Sequence, residues 1–171
     1  EEREPGRRYT TINGLRYTNI PLSSRNLATT IDWSPHRGLS NYTIENPTFN
    51  YGTETDYTIR FQTAAGCVTY DTQKVRVYDA ADIKVPTAFT PNHDNHNDFL
   101  DIFMIGVAKL NYFRIFNRWG QLIFETNDIK KRWDGTINGN RQSSETFVWM
   151  AEGVDYVGKS IMKRGQFVLI R

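Results

Sequence analysis

Short runs in which apolar and polar residues alternate are the dominant pattern along this chain. In residues 55–63, TDYTIRFQT, the side chains of Tyr57, Ile59 and Phe61 would occupy one face and the residues between them the other. The run QKVRVYD at 73–79 repeats the pattern. Alternation with a period of two predicts half-buried β-strands, and few stretches show the apolar spacing of a helix.

Turn residues separate these runs in the first part of the chain. Gly66, in AAGC, predicts a hairpin-like turn, and ATTIDW and RYTNIPL upstream are further strand candidates. Strands at this spacing predict a small immunoglobulin-like sandwich for residues 1–79. We expect Trp33 in its core, because it is by far the largest apolar side chain there.

The strand pattern starts again after DAADIK. Further candidates are FLDIFMI, LNYFRIF, QLIFET, ETFVWMAEG and QFVLIR. Asn117 and Gly120 in NRWG suit a tight turn, and Asp134-Gly135 and Asn138-Gly139 are turn signals. The sequence therefore predicts an all-β fold of two consecutive antiparallel β-sandwich (immunoglobulin-like) modules, 1–79 and 80–171, with a short linker near 79–84.

Composition and charge narrow the functional classes. The net charge of +2 in 171 residues is too small to predict nucleic acid or an anionic membrane as a partner. Cys67 is the sole cysteine, so no intramolecular disulfide can form, and no apolar run is long enough to span a bilayer. The start, EEREPGRRY, predicts a cut inside a longer protein, whereas a strand running directly to Arg171 suggests a natural C-terminus.

The sequence predicts no enzyme. His36, His93 and His96 lie in no recognisable nucleophile setting, and there is no G-x-S-x-G elbow. The glycines at 135–139 lack the strand–loop–helix context of a phosphate loop, and a small buried hydrophobe is the better interpretation of Cys67.

The stretch PTAFTPNHDNHNDFLDI, residues 86–102, carries the one candidate metal site. Oxygen-bearing side chains recur there in the way that short acidic loops supply ligands to calcium. The candidate calcium ligands are Asn92, Asp94, Asp98 and Asp101. The alternative is a turn in which Asp and Asn side chains bond their own backbone, and zinc on the two nearby histidines lacks a third soft ligand.

The aromatic residues of the second half allow two interpretations. They could line a carbohydrate-binding platform, or they could form the core of a small sandwich that has little else to bury. Their alternating positions on strands favour the core. The residues are Phe113, Phe116, Trp119, Phe124, Trp133, Phe147 and Trp149.

Several motifs of the second half occur in the order of a known family. The segments VPTAFTPNHDNHNDFLDI, LNYFRIFNRWGQLIFETND, WDGTINGN and the terminal LIR resemble the gliding-motility-associated C-terminal domain, which is the type B sorting domain of the bacterial type IX secretion system. The resemblance covers about residues 83–171. The family's first motif is roughly P-N-G-D-G-x-N-D, and here His93 and Asn95 replace its two glycines, at positions that favour a left-handed backbone.

The first half resembles the polycystic-kidney-disease-like (PKD-like) or immunoglobulin-like module that often precedes this sorting domain. Such modules are widespread and their presence indicates no particular function, so this resemblance is less specific. The matching residues are Trp33, Pro35, Asn46, Pro47, Gly66 and Cys67.

The resemblance implies a folded export signal. It would direct a larger cell-surface protein, whose upstream cargo domains lie outside this fragment, across the outer membrane of a Bacteroidota-type cell. The implied partners are the type IX translocon and a PorP/SprF-like outer-membrane protein, and the implied location is secreted, on the cell surface. A carbohydrate-binding or adhesive cell-surface module is the alternative function.

The last strand, GQFVLIR, is the candidate for partner recognition. Its apolar residues fall on both faces, so it is either a central strand or an edge left open for a partner strand. Arg171 would place a permanent cation beside the terminal carboxylate, for a receptor to recognise or to keep the strand end solvated. The predicted recognition residues are Phe167, Leu169, Ile170 and Arg171.

Overall fold

The computed structural model describes residues 5–171, and every regular element in that range is a β-strand. The chain divides after Ala80 into two compact units, named unit 1 and unit 2 below. Both are immunoglobulin-like β-sandwiches, which confirms the predicted all-β fold class. Within residues 5–171, no helix is long and apolar enough to cross a bilayer.

Unit 1 consists of one larger sheet and one strand pair. Its strands are β1 (Ile12–Leu15), β2 (Ile20–Pro21), β3 (Thr30–Ser34), β4 (Thr48–Phe49), β5 (Thr55–Gln62) and β6 (Val68–Tyr78). The larger sheet has the order β1-β6-β5-β3, and β2 pairs with β4. The strand β1 runs parallel to β6, whereas the other pairs are antiparallel.

The alternating residues of β5 build the core of unit 1. Tyr57, Ile59 and Phe61 are buried and face Trp33, which is fully buried as predicted. The rings of Trp33 and Tyr57 meet edge to face with their centroids 5.8 Å apart, a favourable arrangement of two aromatic quadrupoles. Burial raises the pKa of Tyr57 to about 12.

A buried ion pair ties two parts of unit 1 together. The carboxylate of Asp71, on β6, is fully buried and receives hydrogen bonds from Nε and Nη2 of Arg25 at 2.9 and 2.5 Å. The backbone N–H of Arg7 donates to the same carboxylate at 2.7 Å. A charge removed from water in this way is tolerated only because it has these partners.

Unit 2 contains a five-stranded sheet and two strand pairs. Its strands are β7 (Asp82–Lys84), β8 (Ala88–Phe89), β9 (Phe103–Ile105), β10 (Val107–Phe116), β11 (Leu122–Thr126), β12 (Thr136–Ile137), β13 (Asn140–Arg141), β14 (Glu145–Asp155) and β15 (Ser160–Leu169). The larger sheet has the order β11-β10-β14-β15-β8, and the pairs are β7 with β9 and β12 with β13. The β15–β8 pair is parallel.

Four aromatic side chains fill the centre of unit 2. The ring centroid of Trp133 lies 4.9 Å from that of Phe147, 5.6 Å from that of Phe89 and 5.9 Å from that of Phe167. The indole N–H of Trp133 donates to the Thr136 carbonyl at 2.9 Å, so its one polar atom is satisfied. This cluster is continuous with the buried residues of β10 and β14.

Some elements differ from the sequence predictions. The predicted linker near 79–84 contains β7, which pairs with β9 and buries Ile83. Of the predicted strand FLDIFMI, 99–105, only Phe103–Ile105 is a strand, because the backbone before it forms a bridge between Leu100 and Trp133 instead. A three-residue strand shows too little alternation to be recognised without its partner.

Candidate functional site

The last strand of the chain is paired on both sides where it ends. The N–H of Val168 donates to the Thr87 carbonyl at 2.9 Å, and the N–H of Ile170 donates to the Phe89 carbonyl at 3.0 Å. On its other side β15 pairs with β14 along its length. The sequence is compatible with either a central strand or an edge strand here. At residues 168–170 the structure shows a central strand.

The four predicted recognition residues are placed differently from one another. Phe167 and Leu169 are fully buried in the core of unit 2, so neither can contact a partner while the unit is folded. Ile170 is exposed on the opposite face of the strand, together with Val168. The recognition hypothesis for this segment therefore narrows to its solvent-facing side chains and to Arg171.

The guanidinium of Arg171 is bound within its own unit. Its Nε donates to the Gln142 carbonyl at 2.7 Å, its Nη1 to the Pro91 carbonyl at 3.2 Å and its Nη2 to the Gly135 carbonyl at 3.2 Å. Its backbone N–H donates to Ser144 Oγ at 2.9 Å. One side chain thus joins three separate segments to the end of β15, a role that the sequence alone does not indicate.

Gly135 makes room for this arrangement. Its φ of 76° is left-handed, and a Cβ there would lie 2.7 Å from Leu169 Cδ1 and 3.3 Å from Arg171 Nη2. A side chain at this position would therefore be strained and would collide with the end of β15. The Asp134-Gly135 turn signal marks the site where the C-terminal residues pack.

Asp98 organises the turn that carries the candidate calcium ligands. Its Oδ1 accepts the N–H of His93 at 2.6 Å and its Oδ2 accepts the N–H of Asn95 at 2.8 Å. His93 and Asn95 have φ values of 68° and 69°. These two residues therefore do adopt the left-handed backbone that glycine would favour in their place.

The other candidate ligands also have internal partners. Asn92 Nδ2 donates to Asp94 Oδ2 at 2.8 Å, and the N–H of His96 donates to Asp94 Oδ1 at 2.8 Å. The Asn92 amide, followed by the His96 N–H, lowers the pKa of Asp94. Asp101 lies 3.4 Å from Arg132 Nη1, outside the turn.

This bonding is that of the predicted Asx turn. Within residues 5–171 no group of three or more His, Cys, Asp or Glu side chains is placed to hold a metal ion. Beside the turn, a cavity of about 260 Å³ brings Arg141 and Arg171 close to His93, Asp98 and Asp134. Among the residues that line it, the Thr136 hydroxyl donates to Asp134 Oδ1 at 2.8 Å.

The aromatic side chains of unit 2 divide between core and surface. Trp133, Trp149, Phe113 and Phe147 are buried, which confirms the core interpretation for them. Trp119 is 72% exposed, and it is the one tryptophan of the unit that contributes nothing to the core.

The turn that presents Trp119 is well defined. The Asn117 carboxamide accepts the N–H groups of Trp119 and Gln121 at 3.1 and 3.0 Å, and Gly120 takes a left-handed φ of 77°. The guanidinium carbon of Arg118 lies 4.4 Å from the Trp119 ring centroid, within the range of a cation–π interaction. The exposed indole is therefore carried by a turn that the Asn117 side chain closes.

Exposed apolar side chains also lie on the strands that adjoin the Trp119 turn. Phe116, half-buried, pairs with Leu122 on one side and Val148 on the other, so all three share the outer face. Val168 lies opposite Thr146 on the same face, one diagonal step from Val148. We call the exposed members the apolar strip: Trp119, Leu122, Val148, Val168 and Ile170.

Residues 83–168 match the CHU_C type IX secretion signal domain. The chain belongs to this family. The match covers the Asx turn, the turn of Trp119 and the aromatic core of unit 2, and it ends at Val168, before Ile170 and Arg171. In this chain the apolar strip combines side chains of a sheet face with Trp119 on its turn, whereas His93 and Asp98, beside Arg171, have hydrogen-bond partners within unit 2.

The solved structures to which the chain is similar belong to several protein classes. The latent PorU dimer of Porphyromonas gingivalis has a TM-score of 0.36 at 12% identity, over 95% of this chain and 19% of that one. The Bacteroides ovatus SGBP-B protein of a mixed-linkage glucan utilization locus, with a bound heptasaccharide, has a TM-score of 0.30 at 15% identity, over 93% of this chain and 43% of that one. The four N-terminal Ig domains of Dscam1 isoform 4.4 have a TM-score of 0.39 at 7% identity, over 99% of this chain and 44% of that one.

Similarities of this size carry no functional information about the secretion signal domain. The chain spans less than half the length of each of these three proteins. No protein of curated function matches the sequence.

Proposed function

We propose that residues 80–171 are a folded export signal that takes a larger protein across the outer membrane through the type IX secretion system. The family match over residues 83–168 carries the proposal. Residues 1–79 act as a PKD-like or immunoglobulin-like spacer between this signal and the cargo upstream. The exported protein ends on the cell surface or in the medium, and this region performs no catalysis.

The surface of unit 2, rather than a pocket, is what the export machinery recognises. The apolar strip supports this, because contiguous exposed apolar side chains on a soluble domain mark protein–protein contact sites. Tryptophan and arginine, which meet at Trp119 and Arg118, are the residue types that most often dominate binding energy. The proposed receptor is a component of the translocon or a PorP/SprF-like outer-membrane protein.

The solvent-facing C-terminal residues would take part in the same contact. Ile170 extends the apolar strip beyond β15, and the internal bonds of Arg171 fix the position of the chain end. In the proposed contact, Arg171 acts mainly by fixing the conformation of this surface. Phe167 and Leu169 contribute through the core.

Export of the parent protein in its own host tests the proposal. Deletion of residues 81–171 should leave the cargo in the periplasm, whereas an unaffected level at the cell surface would refute the export function. Trp119→Ala should lower surface delivery without unfolding unit 2. The matched control is Phe103→Ala, since Phe103 is 55% exposed in the same unit but lies on β9, away from the apolar strip.

A further inference from the structure

A second exposed aromatic surface lies in unit 1, where two loops run side by side. The β2–β4 pair aligns Ile20 with Phe49, and its antiparallel register carries residues 17–19 past residues 50–52. The N–H of Tyr17 reaches the Tyr51 carbonyl at 3.5 Å. Beside them, Asn50 Nδ2 donates to Asn19 Oδ1 at 2.8 Å.

Tyr17 is held in an unfavourable position. Tyr17 is a large, partly apolar residue, yet it is 72% exposed. Its φ of 56° lies in the left-handed region. A left-handed backbone is uncommon outside glycine, asparagine and aspartate, and such strain persists where the surrounding structure enforces it and often where function uses it. Burial does not explain why a tyrosine occupies this position.

The neighbouring glycine supports the Tyr17 ring. A Cβ built on Gly52 would lie 2.6 Å from Tyr17 Cζ, so the ring rests directly on the Gly52 backbone. The turn before it is closed by Thr18, whose hydroxyl donates to the Leu15 carbonyl at 2.7 Å. The exposed ring is therefore positioned in the free protein and needs no ordering when it meets a ligand.

Tyr51 and Arg37 extend the surface. The guanidinium carbon of Arg37 lies 6.0 Å from the Tyr51 ring centroid. The backbone of Arg37 is fixed by the buried Tyr57, whose hydroxyl donates to the Arg37 carbonyl at 2.7 Å. Gly38 lets the ring approach, because a Cβ there would lie 2.8 Å from Tyr51 Cβ.

We propose that this surface binds a neutral polysaccharide. We call it the tyrosine platform, and its members are Tyr17, Asn19, Arg37, Asn50 and Tyr51. Flat aromatic faces pack against the C–H faces of pyranose rings, which are the apolar parts of a sugar. The amide groups and the guanidinium supply planar donors and acceptors at the rim, which match neighbouring hydroxyl groups.

The chemistry of the platform favours this class of ligand over others. No carboxylate belongs to the platform, and its single cation lies over a ring, so the surface is not built for a strongly charged partner. The hydrogen bond between the Asn50 and Asn19 side chains involves neither Nδ2 of Asn19 nor Oδ1 of Asn50. The site lies in unit 1, away from the family match, and is independent of the export signal.

Affinity gel electrophoresis of the whole chain tests the proposal, with laminarin, hydroxyethyl cellulose, xylan and galactomannan each cast into the gel. We expect at least one of these polysaccharides to retard the chain, and Tyr17→Gly to weaken binding by about tenfold or more. Glycine relieves the left-handed backbone, so this variant should be at least as stable to heat as the parent. The matched control is Tyr70→Ala, because Tyr70 is an exposed tyrosine of unit 1 on β6, outside the platform.

Three results would overturn the inference. One is that none of the four polysaccharides retards the chain. Another is that Tyr17→Gly and Tyr51→Ala bind as tightly as the parent. The third is that Tyr17→Gly lowers the melting temperature of unit 1, which would assign Tyr17 a structural role instead.

Discussion

Replacing Trp133 with alanine should destabilise unit 2 while leaving unit 1 unchanged. Trp133 is 2% exposed and lies among Phe89, Phe147 and Phe167, with ring centroids 4.9–5.9 Å from its own. The substitution removes the whole indole from a close-packed cluster. The surrounding rings come from different strands and cannot all move to fill the cavity.

The magnitude follows from two losses. Removing a buried tryptophan side chain costs about 3–5 kcal/mol through lost burial and the cavity left behind. The Thr136 carbonyl also loses the indole donor now at 2.9 Å, which adds about 1 kcal/mol. Together the two losses come to about 4–6 kcal/mol, a large share of the 5–15 kcal/mol that stabilises a typical domain.

Guanidinium titration of the whole chain measures this loss. With a slope of about 4 kcal/mol/M for a unit of this size, the unit 2 midpoint should fall by about 1–1.5 M. Trp33, in unit 1, reports the other transition and should be unaffected. Trp119→Ala is the matched control, since an exposed side chain away from the core should change stability by no more than about 0.5 kcal/mol.

Two results would refute this account of the core. One is a Trp133→Ala midpoint within about 0.2 M of the parent, at an unchanged slope. The other is a Trp119→Ala variant that loses as much stability as Trp133→Ala. Either would mean that the aromatic cluster does not hold unit 2 together.

Three further predictions concern charged groups. Asp71→Asn removes the buried charge that pairs with the partly buried Arg25 guanidinium and should lower the free energy of unfolding of unit 1 by about 3 kcal/mol, measured by denaturant titration; a loss below about 1 kcal/mol would contradict a stabilising role for this pair. Arg171→Ala removes three hydrogen bonds to backbone carbonyls and should cost unit 2 about 1–2 kcal/mol in the same titration, where an unchanged midpoint would show that those bonds do not stabilise the fold. The hydrogen bond from Lys163 lowers the pKa of Asp82 in the folded unit. The ionised Asp82 carboxylate therefore stabilises the folded unit at pH values above its unfolded pKa of about 4. This stabilisation is lost as the pH falls through the lower pKa of the folded state. Melting temperatures of unit 2 at a series of pH values should therefore fall less steeply in that acid range for Asp82→Asn than for the parent, and equal slopes would rule out the contribution.

The strands that alternate clearly were predictable from the sequence. Tyr57, Ile59 and Phe61 follow a period of two, and their burial on one face of β5 is the direct result. The Asn138-Gly139 turn was predictable for a similar reason, because both residues accept the left-handed backbone that they adopt there, with φ values of 49° and 78°.

Other features depend on contacts between residues far apart in the chain. The parallel pairing of β15 with β8 joins Val168 to Ala88 and leaves no local pattern in either segment, so the central position of the last strand stayed ambiguous. The partners of Arg171 are backbone carbonyls, which carry no residue-type signal at all.

The candidate surfaces were harder to predict than the core. Alternation favoured a core position for the aromatic residues of unit 2, but it could not separate Trp119, on a turn, from Trp133. The position of Tyr17 became evident only from its φ and its exposure, which the sequence RYTNIPL does not reveal. An alternating strand pattern predicts which side chains are buried. It does not predict how exposed the other side chains are in the folded protein.

The most direct test of the export function asks whether unit 2 is sufficient as a signal. Residues 81–171 are fused to the C-terminus of a reporter carrying a signal peptide for the periplasm, in a host with a working type IX system. We predict that the reporter reaches the cell surface or the medium, and that the Trp133→Ala fusion does not. A reporter that stays in the periplasm, while an established signal domain exports it in the same cells, would contradict the account.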